Sequence, residues 1–129
     1  MRITSILQNG LRFETDIRGH QVVVDVPAAM GGSDSGPMPP ELVVTALGTC
    51  VGIYAVNFCT KYRISPAGLV VHTDWEKGTE PSRIAKMSVV IELPAGVPAE
   101  KHEAFMRTIS QCMVHNSFCQ IPEISMKLS

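Results

Sequence analysis

Neither sign of charge dominates this sequence. Eleven Lys and Arg stand against twelve Asp and Glu, a formal net charge of −1. That leaves no electrostatic basis for binding nucleic acid or an anionic membrane surface. Runs of like charge, low-complexity tracts and internal repeats are also missing, which argues against charged interaction tails and solenoid architectures. The opening, M-R-I-T-S-I-L-Q-N-G-L-R-F-E, holds an apolar stretch too short and too broken for a signal peptide. The expected compartment is therefore the cytoplasm, where thiols stay reduced. The four cysteines then need a role other than a structural disulfide framework.

What is present is a globular composition. Hydrophobic residues make up 45% of the 129 positions and charged residues 18%, which fits one domain spanning residues 1–129. The stretch Leu42–Cys59 has no charge across 18 residues, close to the minimum for a membrane-spanning helix. Thr45, Thr49 and Asn57 are polar, however, and Gly48 and Gly52 interrupt the run. A buried central helix, apolar all round, explains it better than a span. A chain this short has difficulty covering such a helix on every side alone, so a partner subunit is expected.

Asn9-Gly10 is a hairpin signal between strands expected at Ile3–Leu7 and Leu11–Ile17. Arg18-Gly19 offers a second turn before a β-branched strand at His20–Val26. Pro27–Pro40 is too rich in Gly and Pro for regular structure. Pro39 and Pro40 suit a first helical turn and Glu41 suits the helix dipole, so a helix is expected from there to about Tyr62. Strands follow at Gly68–Glu76 and Ile84–Leu93, the second with Ala85, Met87, Val89, Ile91 and Leu93 on one face. Pro98 opens a further helix. Ser110 is expected to cap another, with Cys112 near its second position, and Pro122 to end it. Ile124, Met126 and Leu128 alternate as a last strand. Strands segregated from helices in this order predict an α+β fold.

Cys112 near a helix start would feel free backbone N–H groups, which favour the thiolate. Cys50 lies mid-helix among Leu47, Val51, Ile53 and Tyr54. By position it is a core thiol that needs a nearby cation and some solvent access to react. Cys59 and Cys119 are expected to be structural. Nine residues of helix rotate ~900°, which turns Cys59 away from Cys50. Cys112 and Cys119 lie ~10 Å apart along a helix, beyond the ~7 Å Cα limit for a disulfide. A Cys50–Cys112 bond is permitted by sequence and not established by it.

Two motifs, G-P-M-P-P-E-L-V-V-T-A-L-G-T-C (Gly36–Cys50) and C-M-V-H-N-S-F (Cys112–Phe118), resemble those of the OsmC/Ohr superfamily, the osmotically inducible and organic hydroperoxide resistance proteins. Element order and length agree over essentially the whole chain. The resemblance implies an α+β, intertwined homodimer with antiparallel sheets around long central helices and active sites at the subunit interface. It implies that Cys50 is the peroxidatic cysteine and Cys112 the resolving one. Arg18 matches the arginine that organises the first thiolate, and Glu41 the glutamate. Elsewhere in the family that glutamate stands ten residues before the cysteine, a place held here by Pro40. Many members also have Cys-Pro where this chain has Cys112-Met113. The implied chemistry is reduction of an organic hydroperoxide through a sulfenate and a disulfide, restored by an external dithiol, with no metal or organic cofactor.

Three other readings compete. A zinc site would draw on Cys50, Cys112 and His115, few ligands for a closed structural site. A cysteine hydrolase built on Cys112 and His115 lacks any marked oxyanion hole or orienting carboxylate. A non-enzymatic dimer could keep the fold and bind a small apolar ligand.

Overall fold

The computed structural model describes all 129 residues, Met1–Ser129. The chain divides into two compact units, Met1–Val43 and Val44–Ser129.

The first unit opens as the expected meander. Strands β1 (Ser5–Asn9), β2 (Arg12–Ile17) and β3 (His20–Val24) form an antiparallel sheet in that order. Ile17 pairs with His20 across a two-residue turn in which Arg18 and Gly19 both have positive φ, 57° and 84°. Two such residues in succession match the right-handed twist of the flanking strands. Asp16 Oδ1 accepts from the Gly19 N–H at 3.1 Å and closes the turn.

Asp25 organises the loop after β3. It is 1% exposed. Its carboxylate accepts from the Val26 N–H (2.8 Å), the Ser33 N–H (3.2 Å), the Ser35 N–H (3.1 Å) and the Ser35 hydroxyl (2.7 Å). The loop wraps tightly enough that a Cβ on Gly32 would stand 2.0 Å from the Val26 carbonyl oxygen. The run G-G-S-D-S therefore supplies donors for one buried acid. Those donors, the Ser35 hydroxyl first, pull the Asp25 carboxyl down from 3.8 to about 2, against the opposing effect of burial.

Helix α1 (Pro39–Tyr62) then begins as its prolines suggest. Proline at the first turn forfeits only N–H groups that have no intrahelical partner. Glu41 reaches back to accept from the Met38 N–H at 2.8 Å, the return arm of a capping box.

In the second unit, α1 continues beside strands β4 (Val70–Gly78) and β5 (Arg83–Glu92), an antiparallel pair, and helices α2 (His102–Ser110) and α3 (Met113–Cys119). Leu47 and Val51 of α1 pack with Cys112, Met87, Val89 and Ile91. One turn further on, Ala55 and Phe58 pack with Phe105, Ile109 and Leu69. Phe58 meets Phe105 edge-on at 5.1 Å between centroids, a favoured aromatic geometry. Gly48 lets β4 pass close to the helix, for a Cβ there would lie 2.4 Å from Thr73 Oγ1. By length and composition α1 could cross a membrane, yet one face of it is occupied by this core.

Three expectations need correction. Residue Ala85 is not on the inner face of β5. The register shifts so that Lys77 pairs with Ile84 while Glu76 pairs with Lys86, which skips Ala85 and turns it outward. A bulge of one residue exchanges the faces of everything beyond it. The helix after Pro98 starts as a 3₁₀ turn, Ala99–Lys101, before α2. The last strand does not form: residues 120–129 carry no regular structure, and Ile121, Ile124, Met126 and Leu128 are exposed. Alternation supplies a strand pattern but not the neighbour a strand must pair with.

Asp25 makes the acid limb of stability specific. Its carboxyl is lower in the folded state than in the unfolded one. The contribution is therefore present above pH 3.8 and is lost as pH falls toward 2. In thermal unfolding at stepped pH, the wild-type midpoint should fall steeply across that window. Asp25→Asn should start lower near neutrality and lose less across it. Equal slopes for the two proteins would refute this role.

Candidate functional site

Cys50 stands midway along α1 and is half-buried; Cys112 is fully buried, at 0% exposure. The packing of Leu47 and Val51 against β5 carries Cys50 into the same apolar cluster as Cys112, together with Tyr54, Ile109 and Val114. The two cysteines that lie 62 positions apart in sequence are thus neighbours in one apolar cluster. All four cysteines are free.

Cys112 is not inside α3 but is its N-cap. Its backbone is extended, φ −55° and ψ 129°, and its Sγ accepts from the His115 N–H at 3.4 Å. The expected cap, Ser110, is instead the last residue of α2, where its hydroxyl donates to the Met106 carbonyl at 2.7 Å. A thiol thus holds the place that Ser, Thr, Asp or Asn usually takes.

The predicted thiolate character of Cys112 is overturned. Burial pushes this thiol up from its ordinary value, and the Cys50 thiol beside it acts in the same direction. Negative charge on Cys50 would raise it further, and the N–H groups of His115 and Val114 only partly offset these effects. The helix terminus is present, but desolvation outweighs it. Of the pair, Cys112 is fully buried and Cys50 only half-buried.

The other expected residues lie on the first unit. Arg18 sits exposed at the tip of the β2–β3 hairpin. Glu41 caps the helix that carries Cys50. A residue that pattern reading passed over is Arg12 on β2. It pairs with Glu14 and keeps its Nε buried without a partner. An alternating strand offers no signal for that.

His115 does not direct its ring at Cys112. Its Nδ1 lies 3.1 Å from the Ser110 carbonyl, and its Nε2 3.6 Å from Cys119 Sγ. The Cys112-x-x-His115 spacing therefore joins a sulfur to a main-chain N–H, not to an imidazole. Cys59 is buried, whereas Cys119, expected to be structural, is exposed. A groove of about 710 Å³ is lined by Val44, Gly48, Gly52, Ile53, Leu69 and Val71, and neither Cys50 nor Cys112 lines it.

This architecture has relatives of known structure. A Psychrobacter arcticus 273-4 protein named for osmotic stress induction and detoxification response superposes with a TM-score of 0.81 at 19% identity, covering 89% of this chain and 85% of that one. An OsmC-like protein of Mycoplasma pneumoniae gives 0.77 at 17% identity, with 93% and 87% covered. An organic hydroperoxide resistance protein of Elizabethkingia anophelis gives 0.67 at 16% identity, with 91% and 87% covered. These likenesses show the fold. Among curated proteins none matches the sequence. The family model for OsmC-like proteins matches residues 32–127, a span that contains both Cys50 and Cys112, and the chain belongs to that family.

Proposed function

We infer that the protein is a thiol-dependent peroxidase that reduces organic hydroperoxides through Cys50 and Cys112. One observation carries the reading: half-buried Cys50 and fully buried Cys112 are brought together in one apolar cluster. Hydroperoxide resistance named for a relative of the same fold supports the substrate class.

The Cys50 thiolate attacks the distal peroxide oxygen. The O–O bond breaks, the alkoxide leaves and takes up a proton as alcohol, and Cys50 becomes a sulfenic acid. Cys112 then attacks the sulfenic sulfur as it gives up its proton to the departing oxygen: an S–S bond forms and water leaves. An external dithiol restores both thiols by exchange. The Arg18 guanidinium and the Glu41 carboxylate would organise the first step. The chemistry uses no metal or organic cofactor. Leu47, Val51 and Tyr54 around the pair favour an organic substrate. Each buried methylene is worth ~0.8 kcal/mol, so two favour cumene hydroperoxide over hydrogen peroxide by about tenfold or more.

Turnover of cumene hydroperoxide with a dithiol reductant tests this. Cys50→Ser should lower the rate by ~10³-fold or more. Cys112→Ser should allow one oxidation and then stall, and Arg18→Ala should slow the first step. Turnover that survives Cys50→Ser would end the peroxidase reading. It would leave the alternative, an apolar-ligand binder of this fold, which the groove along α1 supports.

The working form is inferred to be a homodimer. Ile53, 61% exposed on an apolar helix, borders the groove, and four exposed apolar side chains follow α3. A second copy would cover both surfaces. Sedimentation equilibrium should give twice the 14.0 kDa chain mass, and Ile53→Glu should shift the protein toward monomer. A wild-type monomer at micromolar concentration would contradict it.

A further inference from the structure

Cys119 and His115 form an arrangement that the Cys50–Cys112 chemistry does not use. They lie one turn apart on α3, with Sγ 3.6 Å from Nε2. The other ring nitrogen, Nδ1, is 3.1 Å from the Ser110 carbonyl. A carbonyl can only accept, so Nδ1 carries the proton. In the neutral ring Nε2 is then the acceptor, and it faces the thiol. A nucleophile within reach of a base, with that base oriented by a third group, is the pattern of an activated side chain.

The same unit contains the contrast. Cys59 and Cys112 are buried, while Cys119 is exposed at the end of α3. Attack on a disulfide requires the incoming sulfur to approach along the S–S axis, which only an open thiol permits. A peroxide is the poorer reagent here. The sulfenic acid it would leave on Cys119 has no resolving thiol at hand, because Cys112 is ~10 Å away along the helix and buried.

We propose that Cys119 is a second reactive thiol, with His115 as its base, which forms mixed disulfides with low-molecular-weight disulfides. The Cys119 proton passes to His115 Nε2, and the imidazolium stays hydrogen-bonded to Ser110. The Cys119 sulfur bonds to one sulfur of the small disulfide and the S–S bond breaks. The departing thiolate collects the proton from His115. The small disulfide is the oxidant: one half stays bound to Cys119, and the other leaves reduced. The bond remains reversible by exchange with any free thiol.

The test treats the reduced full-length protein with 2-hydroxyethyl disulfide, without hydroperoxide, and maps adducts by peptide mass over time. Cys119 should carry the mixed disulfide at least tenfold faster than Cys59. His115→Gln and His115→Ala should each slow the Cys119 adduct by about tenfold or more. Free imidazole in the buffer should restore the rate in His115→Ala, a recovery that a purely structural role for the ring would not give. Cys119→Ser should lose the adduct and keep hydroperoxide turnover, so this proposal and the peroxidase reading fail separately. A Cys119 that stays unmodified, an equal rate in the His115 variants, or no recovery with imidazole would each overturn it.

Discussion

Cys112 is asked to do two things that oppose each other. Its sulfur caps α3 by accepting the His115 N–H, and it is buried against Leu47 and Val51 beside Cys50. A helix terminus favours thiolate and an apolar cluster favours thiol. Burial wins, and the Cys112 thiol is pushed up from its ordinary value. Under the proposed peroxidase reading, half-buried Cys50 would meet the substrate and buried Cys112 would close the disulfide. Loss of the Cys112 position would move the start of α3 and the environment of Cys50 together.

The element order and the α+β class were legible because they rest on local signals. Arg18-Gly19 and Pro39-Pro40 stand where their local signals put them, whereas the first turn falls at Gly10-Leu11, one residue beyond the expected Asn9-Gly10. The juxtaposition of Cys50 and Cys112 could come only from resemblance, since nothing local links residues 62 positions apart. Errors arose where a tertiary effect overrode a local one. Desolvation outweighed the helix terminus at Cys112. A bulge turned Ala85 outward. The tail kept its alternation but found no edge to pair with, so the strand expected at Ile124–Leu128 is absent. Asp25 was invisible for the same reason: an acid beside a glycine-rich loop looks like solvent-facing punctuation until Ser33 and Ser35 fold back onto it.

Apolar surface left open along α1 and after α3 gives the chain two unfinished faces. The groove along α1 is lined by Gly48 and Gly52 of the helix and by Val71 and Thr73 of β4. Both faces are of the kind that association covers, which agrees with the partner expected from a helix apolar on every side. The membrane-like composition of α1 thus has a protein-based explanation in the core it already builds with Phe58 and Phe105.

The most direct test of the central claim is to map the disulfide itself. Reduced protein would receive one equivalent of cumene hydroperoxide. It would then be alkylated, digested without reduction and examined by mass spectrometry. The account predicts a single linked peptide pair joining Cys50 to Cys112, with Cys59 and Cys119 still alkylatable. A protein that keeps all four thiols, or joins any other pair, would contradict it.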